Sequence, residues 1–288
     1  MPAESDIVAA ENRRLLRDVK ELRARVEALE TSRWWRLHPR FLSQRLAALV
    51  HSPEPTTQPF VAAPEHEPPG APDEALTVRF REEVAARGRF RVDMVSGNFA
   101  LWEPFLEDLE GKRARILEIG SFEGMSACYF LWRLRDAHVT CIDTFAGGAS
   151  FAALEADVSG LEAAFDHNVA LVDAERVRKL VGESGAHLLA LLHEDERFDL
   201  VFVDGSDVAL DVLVDAALSW QLLAPGGYLI FDNYGWRSPL GEDPLFHPAP
   251  AVDAFLDLVR NHSQVLFKGN EVILRRAGRE AGADGASP

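Results

Sequence analysis

The sequence predicts an α/β domain built on a doubly wound, mostly parallel sheet with a C-terminal antiparallel hairpin, preceded by an N-terminal coiled-coil helix. Three observations predict it. Short apolar runs alternate with helical patterns between residues 114 and 261, as in sheets covered by helices on both faces. The last apolar stretch, QVLFKGNEVILRR (264–276), carries a turn signal in its middle and reads as a hairpin. The first thirty residues repeat every seven. Composition agrees: 47% of the 288 residues are apolar and 26% charged, values of an ordinary globular chain rather than a disordered or fibrous one.

In chain order, Val8, Leu15, Leu22 and Leu29 fall seven apart, and Asn12, Val19 and Val26 interleave with them. Val at a and Leu at d favour a parallel two-stranded coil, and Asn12 at an a position would set its register. Asp18 would face Arg23, and Arg25 would face Glu30, across such a homodimer. A lone amphipathic helix folded on the main domain has the same stripe. Residues 31–50 mix Arg33, Arg36, Arg40 and Arg45 with Trp34, Trp35 and Phe41, a composition suited to the inner face of a membrane or to a protein partner; a helix packing on its own domain is the alternative. Seven prolines between 53 and 72 exclude regular structure and mark 51–76 as a linker. Residues 77–277 form the main domain, of ordinary size, and 278–288 read as a disordered tail.

Within that domain ARILEIG (114–120), VTCIDTF (139–145), VRKLVGES (177–184), FDLVFVDG (198–205) and GYLIFDNYG (227–235) read as strands. The segments 126–134, 161–171, 186–194, 208–223 and 251–261 read as helices. Ligands of such sheets bind at the carboxyl ends of the strands. Those ends carry Glu118-Ile119-Gly120-Ser121-Phe122-Glu123-Gly124, Asp143, Gly182-Glu183-Ser184, Asp204-Gly205-Ser206-Asp207 and Asp232-Asn233. The glycines permit a tight turn and a close approach of ligand to backbone. Asp143 can accept both hydroxyls of a ribose. The turn at Ser184 is where an adenine edge could be read. Asp204, Asp232 and Asn233 offer hard oxygen ligands suited to Mg2+. For each acid taken singly, a cap or turn role is the plainer reading.

Charge and cysteine content exclude other classes. The chain holds 30 Lys+Arg and 46 Asp+Glu, a net charge of −16, unsuited to general nucleic-acid binding. Residues 1–50 hold 10 basic and 7 acidic side chains (+3), and the other 238 hold 20 and 39 (−19). Two cysteines, Cys128 and Cys141, build neither a disulfide framework nor a cysteine zinc site. With no signal-peptide pattern and no long apolar run, the expected compartment is the cytoplasm. The glycine spacing G-x-G-x-x-G of a dinucleotide pyrophosphate site is missing, which disfavours a nicotinamide dehydrogenase.

Taken together these residues resemble the class I S-adenosylmethionine-dependent methyltransferases, with a Rossmann-like fold, over about residues 90–276. The likeness is to the catechol and caffeoyl-CoA type of O-methyltransferase and to bacterial relatives with an FVDGSH signature. EIGSFEGMSA is similar to the family's ELGxxxGxSA loop, which implies that Gly120, Ser121, Gly124 and Ser126 hold the methionine end of S-adenosyl-L-methionine, with Glu118 also among the cofactor-binding residues. Asp143 matches the ribose acid and Ser184 the adenine-side position. Ser96-Gly97, 21–22 residues before Glu118, match an upstream cofactor loop. Asp204, also counted at the cofactor rim, matches the divalent-metal triad with Asp232 and Asn233, and the 28-residue gap between the aspartates agrees. LLAPGGYLIFDNYGW is similar to the family's LLxxGGxxxxDN segment.

One position departs. Relatives carry His or Lys three residues after the first metal aspartate, and the side chain there is thought to take the acceptor's proton; here it is Asp207, with Ser206 in place of an adenine-stacking aromatic. Asp207 can act as base, as a fourth metal ligand, or as a cap of the following helix. His167, His247, Tyr234 and Trp236 are candidates for the acceptor cleft, and 241–250 for its lid or rim. SRWWRLHPRF is similar to an L-E-x-S-x-x-W-R-L-T-x-P segment of bacterial enzymes that assemble surface glycans, which implies a sugar hydroxyl as acceptor. The expectation is therefore a metal-assisted O-methyltransferase. Its rivals are a metal-independent methyltransferase and a cofactor-binding scaffold without turnover.

Overall fold

The computed structural model describes residues 74–278. The coiled-coil and membrane or partner segments (1–50), the linker up to residue 73 and the tail from 279 lie outside the described residues. The first helix among the described residues, α1, is Glu74–Glu83, so three residues assigned to the linker by their sequence are helical. Helix α2 follows at Phe99–Leu109, after a single turn at Ser96–Asn98.

The expected alternation follows, with one helix the sequence reading did not contain, α4, and with β5 starting four residues early: β1 Arg115–Ile119, α3 Met125–Arg133, β2 His138–Asp143, α4 Ala149–Ala153, α5 Leu161–Ala170, β3 Val177–Val181, α6 Ser184–His193, β4 Phe198–Val203, α7 Ala209–Leu222, β5 Leu223–Phe231, α8 Ala249–Val259, β6 Ser263–Lys268 and β7 Val272–Arg276. The seven strands form one sheet in the order β3-β2-β1-β4-β5-β7-β6. Strands β1 to β5 are parallel; β7 runs antiparallel between β5 and β6.

Side chains alternate across the sheet, as pleating requires. Ile116, Val139, Phe202 and Ile230 face a core shared with Phe80, Phe99, Trp102, Phe130 and Phe165. Leu117, Val201, Leu229 and Leu274 face the other core, with Leu188, Val212 and Phe255. An aromatic knot anchors the first layer: Phe99 stacks on Tyr129 at 3.7 Å between ring centroids, and Trp102, 0% exposed, stacks on Phe130 at 5.2 Å.

Register places the functional rim. Ile119 lies beside Ile142 and Val203, and Val203 beside Phe231, so strand ends β2, β1, β4 and β5 stop level. The chain leaves β1 toward β2 and β3 on one side and returns through β4 and β5 on the other, which makes β1/β4 the switch point where a crevice opens. The strands stop earlier than their apolar runs: Thr144-Phe145, Glu183-Ser184 and Asp232-Asn233 are already outside them. Phe145 and Asn233 take left-handed backbone, with φ of 51° and 59°.

Candidate functional site

The turn after β1 is shaped by its neighbours. Gly120 has φ +86°, and a Cβ there would stand 2.0 Å from the carbonyl oxygen of Asp204. The glycine therefore answers the close approach of the β4 loop, not only that of a ligand. Hydrogen bonds from Gly120 N to Ile142 O and from Asp204 N to Ile119 O, each 2.8 Å, lock the three strand ends together. Gly124, φ +79°, starts α3, and a Cβ there would meet the Phe165 ring at 2.9 Å. From outside, Glu123 accepts from Arg91 N (2.7 Å) and Arg91 Nε (2.5 Å), and buried Asn168 Nδ2 donates to Glu123 O (2.8 Å).

The predicted cofactor residues divide into two sets. Glu118 is fully buried inside the sheet; it accepts from Ser126 Oγ at 2.5 Å and from Cys141 Sγ at 3.4 Å, and burial raises its carboxyl above the ordinary range. Glu118 and Ser126 are thus bonded to each other in the core. Ser121 is 2% exposed, and its hydroxyl makes no hydrogen bond of ordinary geometry. It lies against the Glu118 carboxyl and the Cys141 thiol and helps to hold both groups' ionised forms. Asp143 is half-buried. Its two oxygens accept from Phe122 N (2.7 Å) and Phe145 N (2.6 Å), which orients the carboxylate while leaving lone pairs for hydroxyl donors.

Ser96 is buried; Arg81 donates to its hydroxyl, which in turn donates to Asp93. Gly97 beside it is exposed and open: a Cβ added there would meet nothing within 4 Å. Ser184 opens α6 and donates to Asp215 on α7 at 2.6 Å.

The acidic rim is closer-knit than its sequence suggests. Asn233 Nδ2 donates to Asp204 Oδ1 at 2.9 Å. Asp232 shares a hydrogen bond with Glu271, a 1% exposed carboxyl immediately before β7 that also accepts from Asn98 Nδ2 (2.7 Å) and Trp102 Nε1 (2.8 Å). Glu271 thereby ties the upstream loop at Ser96–Asn98 to Asp232. Burial, with repulsion between the clustered acids, pushes the carboxyls of Asp204, Asp232 and Glu271 upward. Among the described residues no Lys or Arg pairs with these three acids.

Asp207 does not cap α7. Ser206 Oγ accepts from Val208 N at 3.1 Å, while Asp207 accepts from Ser150 on α4 at 2.6 Å. Helix α4 is thus a short strap across the rim, held also by Phe151 stacking on Phe122 at 5.1 Å.

For a metal ion the donor set is chemically apt: two carboxylates and an amide are hard oxygen donors. Two details weigh against a preformed cage. Asn233 turns its N–H to Asp204, so its amide would have to turn over to offer oxygen. Among the described residues no three His, Cys, Asp or Glu side chains form a metal-holding group.

Beyond the end of β5, Tyr234 Oη bonds Asp253 at 3.1 Å, and Lys268 Nζ bonds Asp253 at 2.7 Å while lying over the Tyr234 ring. Trp236 is 45% exposed beside them. His247 Nδ1 accepts from Ser238 N at 3.2 Å, so this histidine ties down the 241–250 rim. His167 stands in the last turn of α5, half-buried.

Residues 117–234 match the family model of a methyltransferase domain. No curated protein matches the chain by sequence. Among solved structures, MycE methyltransferase from the mycinamycin biosynthetic pathway, in complex with Mg and SAH, is similar with 15% identity and a TM-score of 0.50, covering 77% of this chain and 58% of its own. This chain therefore spans under two thirds of the MycE length. The O-methyltransferase from Bacillus cereus in complex with SAH has 17% identity and a TM-score of 0.46, covering 72% of this chain and 92% of its own. TomG, an O-methyltransferase from Streptomyces achromogenes involved in tomaymycin synthesis and solved with SAM, has 22% identity and a TM-score of 0.45, covering 72% and 92%. The likeness to MycE shows the Rossmann-like fold.

Proposed function

We propose that this chain, with the methyltransferase domain matched at residues 117–234, is an S-adenosylmethionine-dependent O-methyltransferase assisted by a divalent cation. The observation that carries the reading is the level rim: Asp143 stands on one side of the Gly120 turn, and Asp204, Asp232 and Asn233 stand on the other. When bound, S-adenosylmethionine supplies the methyl group, and a divalent cation lowers the pKa of the acceptor hydroxyl.

The chain's own residues bind and orient. Asp143 is set to accept ribose hydroxyls, and Ser121 with the backbone of Gly120–Gly124 to receive the methionine end. Asp204, Asp232 and Asn233 would hold the cation, and their clustered negative charge favours any positive ligand, a sulfonium included. Asp207 is placed to take the acceptor's proton once Ser150 lets go of its carboxylate. Ser184 addresses the adenine edge, and Ser96-Gly97 close the site from upstream. The acceptor is a hydroxyl of a sugar, a glycan or a small natural product; Trp236 and the 241–250 rim form its apolar side. MycE was solved with Mg, SAH and mycinamycin VI, which supports the metal and the natural-product acceptor by likeness of fold.

A metal-independent methyltransferase is the second reading. It is favoured by the Asn233 N–H on Asp204. Methyl release from labelled S-adenosylmethionine, measured over a panel of glycosides and polyphenols, tests the activity. Loss in EDTA and in Asp204→Ala is expected, and activity unchanged in both selects the metal-independent form. Binding of cofactor with no turnover on any acceptor class would select the scaffold reading.

Beyond the site, residues 1–30 are proposed to form a homodimeric coil. Residues 31–50 are proposed to contact a glycan-assembly protein or the inner face of the membrane, in a cytoplasmic protein. No nucleic-acid partner is expected.

A further inference from the structure

Asp215 is a buried carboxyl that the proposed reaction does not use. It sits on α7 at 2% exposure, on the buried face with Val212, Ala216 and Leu222, where an acid needs a reason. Its hydrogen-bond partner is Ser184 Oγ, which donates at 2.6 Å. Its second oxygen lies 3.7 Å from the position a Cβ would take at Gly205. Asp215 therefore stands behind two loops of the rim at once, the end of β3 and the end of β4.

The consequence lies in the chemistry of a hydroxyl. A free serine rotates and offers a ligand either its hydrogen or its lone pairs. Ser184 has committed its hydrogen inward, so toward the rim it presents lone pairs only. A purine edge with an amino group at position 6 donates to such an oxygen. A 6-oxo edge accepts, and would set two acceptors against each other. Sites that leave a buried polar group unmatched reject the wrong ligand strongly.

The geometry points to Asp215 as a specificity-determining positioning residue: by fixing the Ser184 hydroxyl as an acceptor it selects a 6-aminopurine nucleoside over its 6-oxo counterpart. The inference rests on the cofactor reading above. Burial also pushes the Asp215 carboxyl up to about 7, with the Asp211 and Glu183 charges adding to the rise. Neutral or ionised, it keeps an acceptor oxygen for Ser184.

The test is calorimetric binding of S-adenosylhomocysteine and of S-inosylhomocysteine, its 6-oxo analogue, to the full chain. Wild type is expected to prefer the adenosine form about tenfold or more, and Asp215→Ala to bring the two within about threefold, because the hydroxyl regains its rotation. Asp215→Asn, whose carbonyl still accepts from Ser184, keeps the preference. Ser184→Ala, a change at the first turn of α6 that leaves Asp215 buried, also loses it and serves if Asp215→Ala does not fold. Variants that bind both ligands more weakly but at an unchanged ratio would overturn the inference and leave the cofactor reading standing. Failure of wild type to bind either ligand overturns both.

Discussion

Removing the Glu271 carboxyl strands two donors at once, half-buried Asn98 Nδ2 and buried Trp102 Nε1. Each unsatisfied group costs about 1–3 kcal/mol, offset in part by relief of the repulsion on Asp232. Glu271→Ala is therefore expected to lower stability by about 2–4 kcal/mol, read from urea midpoints, with Glu271→Gln falling between it and wild type. Asp215 gives a pH signature. Its folded carboxyl titrates at about 7, above the ordinary aspartate. The unfolded chain releases this proton first, so stability falls as pH rises from about 4 toward 7 and stays lowered above it. Asp215→Asn should thus raise Tm by several degrees at pH 8 and change it little at pH 4; equal shifts at both pH values would exclude the titration. Neither acid stood out in the sequence, because neither ends a strand. Each nonetheless left a sign. Asp215 interrupts an apolar helical stripe, and Glu271 sits two residues before Ile273, on the face of β7 that points to the first core. Asp143, Asp204 and Asp232 were legible because a polar residue that stops an apolar run is visible without coordinates.

Helix α4 and the β1–α3 turn are the elements that govern access. If Ser150 holds Asp207 in reserve, Asp207→Asn should cut methyl transfer about a hundredfold or more, whereas Ser150→Ala should leave it intact or raise it; equal losses in both would deny Asp207 a proton-transfer role. In the turn, Gly120→Ala combines left-handed backbone with a Cβ at 2.0 Å from Asp204 O. A destabilisation of about 3 kcal/mol or more is expected from strain and displaced backbone, together with loss of cofactor binding. The five parallel strands and the terminal hairpin followed from the period of apolar residues, since a central strand must be apolar on both faces. Helix α2 did not, because Pro104 stands inside it and reads as a breaker. Its place is set by tertiary packing of Phe99, Trp102, Phe105 and Leu106, all buried. Strand ends were placed too late, by two residues at β2 and four at β5, where left-handed turns at Phe145 and Asn233 cut the extended backbone short.

At the scale of the molecule, the acidic excess and the sheet order belong together. The order β3-β2-β1-β4-β5-β7-β6 gathers Asp143, Asp204 and Asp232 at one edge although 89 residues separate the first from the last. Among the described residues no helix is long and apolar enough to cross a membrane. The proposed coil is checked by light scattering on the full chain and on a chain starting at Asp73: a dimer and a monomer are expected, and two monomers would remove the homodimer. The sheet order also dictates a schedule. Of the strands of this sheet, β7 is made last, yet it occupies an inner slot, between β5 and β6. Until residue 276 is free the sheet has a gap, β6 has no neighbour, and Glu271 is not yet there to meet Asp232. A nascent chain therefore lacks a finished rim until β7 is made and seated.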